Sequence, residues 1–252
     1  MYLPAEGALR MVGSILLVHG YGVRGSFWEK LQPHLQRGVE TVAAPDFEGT
    51  SPQQIAAQIE QLARSHAAAG PVALVGHSLG GILCALAASR VDPAIVSHLV
   101  VIAAPFGGRA GSVNPILRFL IRFRLLPQFV VRPRFFSPAT RLADQKRWFR
   151  RAVPESPELQ GILFNSEWFP VAAFTAPLPQ RSLAVYSRAD RIVDPAATQQ
   201  FARMLGAHEY VFDQQRGIGH NDFAASDSIA KETAAAILAF INDDQTGTGG
   251  TS

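Results

Sequence analysis

The chain has 252 residues, 48% of them hydrophobic and 17% charged, with a formal net charge of +3. That balance excludes a disordered or low-complexity protein and suits one large core, with or without an inserted subdomain. A single cysteine, Cys84, excludes an intrachain disulfide and points to a reducing, cytoplasmic setting, with a disulfide-free secreted enzyme as the alternative.

The first residues carry no leader signature. Pro4 and Glu6 precede the first basic residue, Arg10, and the apolar run at 15–18 is too short for a signal core. No apolar stretch reaches the ~18 residues of a membrane span. From there, short β-branched runs alternate with helical stretches. Ser14–Val18 (SILLV) reads as a buried strand and 39–43 as a second. Residues 52–68 have helical spacing, with Ile55, Ile59 and Leu62 on one face. A strand at 72–75, a helix at 79–90 and a strand at 98–103 follow. Strand and helix in repeated succession predict an α/β fold with a mostly parallel sheet flanked by helices.

The pattern changes at 107–180, which is rich in Arg, Pro and aromatic residues and reads as helical, with no clear strand. Alternation then resumes with a strand at 182–187, a helix at 196–205, a strand at 209–213 and a helix at 226–241. The expected organisation is therefore a core from 1–106 and 181–244, a helical cap inserted at 107–180, and a disordered Gly/Thr/Ser tail at 245–252. The inserted segment holds ten Arg and one Lys against four acids, a net +7 that leaves −4 for the rest. Such a surface is a solvated helical face or faces an anionic group. No nucleic-acid motif accompanies it, so nucleic acid is not an expected partner. Weak contact with a membrane surface through the basic cap is compatible with it.

The sharpest motif is Gly76-His77-Ser78-Leu79-Gly80, between the strand VALV and the helix ILCALAASR. A serine on such a tight turn is pushed out of the sheet edge, and glycines are needed where a side chain would strike the neighbouring strand and helix. Ser78 then stands at a helix N-terminus, which favours developing negative charge. It is the candidate nucleophile, against the alternative of a glycine-rich structural turn. His77 fills the variable position and reads as a packing residue, as does Cys84.

His19-Gly20-Tyr21-Gly22 follows the first strand. Acyl transfer needs two N–H donors aimed at the carbonyl oxygen. The backbone N–H groups of Tyr21 and Leu79 are the candidates, with His19 tying the loop down. An ordinary glycine-rich turn is the competing reading. A serine hydroxyl also needs a base. Of seven histidines, His220 alone lies in a loop between the last strand and the final helix, in RGIGHND. The acid should fall between serine and base in chain order. Asp194 precedes Pro195 and reads as a helix N-cap, which leaves Asp190 to orient the imidazole. Asp222 reads as a helix cap.

Taken together, HGYG, GHSLGG, SRADRIVDP and GIGHND occur in the order found in the α/β-hydrolase superfamily. From Leu16 to the last helix, the chain resembles the esterase, lipase and lysophospholipase-like branch with a helical cap. It departs in having Ser187 where that branch often has glycine, and in a shortened opening. The resemblance implies a small-molecule ester substrate and neither a metal nor an organic cofactor. Residues 116–126, with Arg118 and Arg122 one turn apart, and Phe135, Phe136, Trp148, Phe149, Phe164, Trp168, Phe169 and Phe174 read either as an apolar pocket with a basic rim or as a helical cap that simply packs on the core. Thioester hydrolysis, C–C hydrolysis and acyl transfer by the same residues stay open, as does a non-catalytic lipid- or membrane-binding protein. Oligomeric state is not legible.

Overall fold

The structure, a computed structural model, describes residues 11–107, 128–164 and 177–243. Six strands, β1 (Ser14–Val18), β2 (Thr41–Ala43), β3 (Val72–His77), β4 (Val96–Ile102), β5 (Arg181–Ser187) and β6 (His208–Phe212), form one sheet in the order β2-β1-β3-β4-β5-β6. Every neighbouring pair is parallel. Parallel strands covered on both faces need apolar residues at every position. SILLV and VALVGH are buried throughout.

The strand period of two divides these residues between two cores. Leu16, Val18, Leu74, Leu99 and Val101 face one side, under α2 (Pro52–His66), α3 (Leu79–Ala88) and α7 (Pro195–Leu205). Ile15, Leu17, Val75, Val100 and Ile102 face the other, under α1 (Gln32–Leu35), α8 (Asp222–Ala225) and α9 (Asp227–Asn242). Local chemistry sets the helix ends. Ser51 and Gln54 form a reciprocal capping box on α2, with Pro52 in its first turn. Gly206, left-handed at φ 63°, ends α7. Helix α3 stops at Ala88 rather than Arg90, and Ser89 Oγ donates back to the Leu86 carbonyl. Strand β3 runs two residues past Val75, because pairing with β4 continues to His77–Ile102.

Between β4 and β5 the described residues form three helices, α4 (Gln128–Phe135), α5 (Leu142–Arg150) and α6 (Pro157–Phe164), and no strand. Leu159, Ile162 and Leu163 of α6 join the core beside α2 and α3. Helix α5 is held by charge. The buried Asp144 carboxylate meets Lys30 Nζ at 2.8 Å and Arg141 Nε at 2.9 Å, and Arg147 and Arg151 both reach Glu29. Burial opposes ionisation of Asp144, but hydrogen bonds from Lys30 and Arg141 outweigh it and hold its carboxyl below the usual range. Three arginines of the basic segment are therefore engaged in ion pairs. The expected helix at 116–126, Trp168, Phe169, Phe174 and the tail at 245–252 lie outside the described residues, as does the side chain of Phe164. Among the described residues no helix is long and apolar enough to cross a membrane.

The turn after β3 tolerates no added atom. A Cβ on Gly80 would lie 2.3 Å from the Val18 carbonyl oxygen and 2.5 Å from that of His19. Gly217 is left-handed at φ 60° but has open space around it. Gly80→Ala should therefore cost about 3 kcal/mol of unfolding free energy and Gly217→Ala about 1 kcal/mol, read by urea denaturation. Equal losses would contradict this account of the turn.

Candidate active site

The chain leaves β1 towards β2 on one side of the sheet and leaves β3 towards β4 on the other. Loops at the carboxyl ends of β1 and β3 therefore diverge, and the crevice between them is where α/β sheets bind ligands. The candidate residues of both glycine-rich motifs fall there. Ser78 joins β3 to α3 with φ 54° and ψ −120°, a left-handed conformation that a non-glycine residue adopts at a cost of about 1–3 kcal/mol. The strand and the fully buried helix α3 impose it. A Cβ on Gly76 would lie 2.3 Å from the Gly80 carbonyl oxygen, so the turn closes only over glycine. The Ser78 N–H donates to the Ile102 carbonyl at 2.8 Å, which anchors the turn to β4.

His220 and Asp190 come from loops beyond β6 and β5. His220 Nδ1 lies 2.8 Å from Asp190 Oδ2, with side chains 4% and 2% exposed. A carboxylate only accepts, so Nδ1 carries the proton and Nε2 keeps a lone pair. The other oxygen, Asp190 Oδ1, accepts the N–H groups of Ile192 at 2.8 Å and Val193 at 3.0 Å. The carboxylate is thus fixed on one side and presented to His220 on the other. Asp194 does not reach the site; its side chain caps α7 through the Ala196 N–H. Ser187 builds the loop without the glycine often found in this position, since its Oγ accepts the Ala189 N–H at 3.1 Å.

His77 packs as expected and also makes a specific hydrogen bond. Its Nε2–H donates to the His220 main-chain carbonyl at 2.8 Å, and the two rings stand 4.6 Å apart. It therefore ties the residue preceding Ser78 to His220. Phe27, Trp28 and Phe223 surround its ring. Burial holds its pKa well below the ordinary 6.5, so His77 is a neutral donor.

The loop after β1 lies directly against the elbow. A Cβ on Gly20 would meet Ser78 Cβ at 3.2 Å. His19 Nδ1 donates to the Gly20 carbonyl at 3.1 Å, and burial lowers its pKa. Gly22 takes φ 75°. Its N–H donates to Glu155 Oε1 at 3.1 Å and its carbonyl accepts the Val153 N–H at 2.9 Å. Tyr21 is half-buried against the core. Leu79 is the first residue of α3, where N–H groups have no partner within the helix. Gly20 and Leu79 line one narrow crevice with His19, Phe47, Leu159 and Glu155. The Glu155 carboxyl is pushed above its ordinary value, chiefly by burial.

Sequence reasoning missed Glu155, and it misread Asp222. The N-cap of α8 is Asn221, and the Asp222 carboxylate instead bonds Gly219, Ser137 and Thr140. Phe135 stands with its ring 6.3 Å from that of His220, beside Phe149 at 6.0 Å. Among the described residues no cluster of His, Cys, Asp and Glu is gathered for a metal ion.

The profile of the alpha/beta hydrolase family matches residues 15–234. The chain belongs to this family. Solved structures agree with it in fold. A thermophilic esterase from Thermogutta terrifontis is 18% identical, with 90% of each chain covered and a TM-score of 0.65. A lipase-esterase related protein from Clostridium acetobutylicum is 14% identical, with 92% of this chain and 100% of that one covered and a TM-score of 0.69. Rv0554 from Mycobacterium tuberculosis is 18% identical, with 92% and 90% covered and a TM-score of 0.69. The curated proteins give no match.

The neutral His77 has a consequence for acid stability. Unfolded, it takes up a proton near pH 6.5; folded, it does not until far lower pH. The unfolded state therefore binds more protons as pH falls below 6.5, and stability present at pH 7 is lost towards pH 5. In His77→Gln this loss should shrink by up to about 1.4 kcal/mol per pH unit, read by urea denaturation at pH 7, 6 and 5. An unchanged slope would refute the assignment.

Proposed function

We propose that the protein is a serine hydrolase that cleaves a carboxylic ester through an acyl-enzyme on Ser78. One observation carries the reading. A serine is held at φ 54°, and the residue before it is hydrogen-bonded to the main chain of His220, whose buried ring is paired with Asp190; this costly turn thus joins the candidate nucleophile to the candidate base and acid. Ser78 Oγ attacks the ester carbonyl while His220 Nε2 takes its proton, and Asp190 steadies the imidazolium. The oxyanion rests on the N–H groups of Tyr21 and Leu79. The carbon–oxygen bond then breaks, and His220 returns the proton to the leaving alcohol. Water, deprotonated by His220, attacks the acyl-enzyme and frees Ser78.

The substrate class rests on less. Phe135, Phe136, Trp148 and Phe149 pack together on the His220 side of the site, and the crevice at Gly20 is lined by Phe47, Ile55, Leu83 and Leu159. These surroundings favour a hydrophobic acyl group, with the β4–β5 segment as the cap over it. An esterase and a lipase-esterase related protein share the fold, which supports an ester as substrate but carries nothing about its acyl group. Engagement of Arg141, Arg147 and Arg151 in ion pairs lessens the case for a membrane-bound role.

The test is a series of p-nitrophenyl esters from acetate to palmitate, with wild type beside Ser78→Ala, His220→Ala and Asp190→Asn. Wild type should turn over with a preference for medium or long chains. The first two variants should lose activity by about 10⁴-fold or more and Asp190→Asn by a comparable factor. Full activity in Ser78→Ala would end this reading.

A further inference from the structure

Asp222 takes no part in the reaction just described, yet it is 0% exposed. Its carboxylate is filled by three neutral donors. Oδ1 accepts the Thr140 hydroxyl at 2.7 Å, Oδ2 accepts the Gly219 N–H at 2.8 Å, and the Ser137 N–H is shared between them at 3.2 and 3.0 Å. Gly219 immediately precedes His220. Ser137 and Thr140 belong to the β4–β5 segment. One carboxylate therefore joins that segment to the loop carrying the proposed base.

The joint is reinforced on both sides of His220. The Asn221 N–H donates to the Phe135 carbonyl at 2.8 Å, and Ser226 Oγ donates to the Ala139 carbonyl at 3.1 Å. A Cβ on Gly219 would lie 2.9 Å from the Phe135 carbonyl oxygen, so the two backbones meet there directly. With the His77 bond to its own carbonyl, His220 has its main chain held at 219, 220 and 221. Each bond comes from a residue remote in sequence or from Asp222. The His220 ring can aim Nδ1 at Asp190 only as well as that main chain is placed.

We propose that Asp222 is a positioning residue that locks the His220 loop to residues 137–140, so that the His220–Asp190 hydrogen bond depends on the seated β4–β5 segment. A carboxylate is required because three donors converge on two oxygens. In Asp222→Asn the amide would point an N–H at another donor and leave it unsatisfied. Thr140→Val removes one contact and keeps the side-chain shape, while Thr140→Ser keeps the hydroxyl. The inference rests on the hydrolase reading for its kinetic consequence, but not for its geometry.

The experiment compares wild type, Thr140→Val, Thr140→Ser and Asp222→Asn, all well below their melting temperatures. Two quantities are read. One is the far-downfield proton resonance of His220 Nδ1–H, assigned by its loss in His220→Ala. The other is kcat and KM on p-nitrophenyl acetate. Thr140→Val and Asp222→Asn should broaden or lose the resonance and lower kcat at least about tenfold with KM little changed. Thr140→Ser should restore both. Should Asp222→Asn not fold, the threonine pair decides. A lower melting temperature in Thr140→Val, with resonance and kcat as in wild type, makes Asp222 a structural clamp only and overturns the proposal. If wild type hydrolyses no ester, the hydrolase reading fails, and the resonance still decides whether the clamp acts on His220.

Discussion

The candidate site depends on how closely the turn after β3 approaches the end of β1. At Gly80 the separation leaves no room for one carbon atom. That approach forces Ser78 into its left-handed conformation and brings Gly20 against its Cβ. It also starts α3 immediately behind the serine, with the Leu79 N–H in the first turn, where a helix supplies no acceptor of its own. The cost of the strained turn is met by the fully buried α3 and by parallel pairing of β3 on both sides. A looser turn would relax the backbone and carry Ser78 away from the loop after β1.

Around that turn, hydrogen bonds join segments far apart in sequence. Asp190 is pinned by the first turn of its own loop. His220 is held by Asp190, by His77 and by the neighbours that Phe135 and Asp222 bind. Gly22 is gripped on both its N–H and its carbonyl by Glu155 and Val153. The β4–β5 segment thus touches both the base loop and the loop after β1. Its ion pairs at Asp144 and Glu29 hold α5 to the core. Positive charge that reads in the sequence as a solvated face or a surface for an anionic group is partly an anchor.

The sheet was legible because parallel strands with two covered faces must be apolar throughout, as SILLV is. The elbow was legible because its glycines are a steric requirement of the turn itself. Asp190 was separable from Asp194 because Pro195 marks a helix start. What stayed hidden depends on contacts between distant positions. Nothing near residue 77 tells that its ring reaches the carbonyl of 220. Nothing near 155 points to Gly22. Asp222 was misread because its position beside a helix start suggests a local role, while its partners Ser137 and Thr140 lie more than eighty residues earlier, inside the β4–β5 segment.

The central claim is that Ser78 is an activated nucleophile, and active-site labelling tests it most directly. Wild type, Ser78→Ala and His220→Ala would be incubated with a small fluorophosphonate and followed by intact mass, with the adduct located by peptide mapping. The account predicts one adduct on wild type, mapped to Ser78, none on Ser78→Ala, and labelling of His220→Ala slowed by orders of magnitude. A folded wild type that takes no adduct, or one that maps elsewhere, would contradict it.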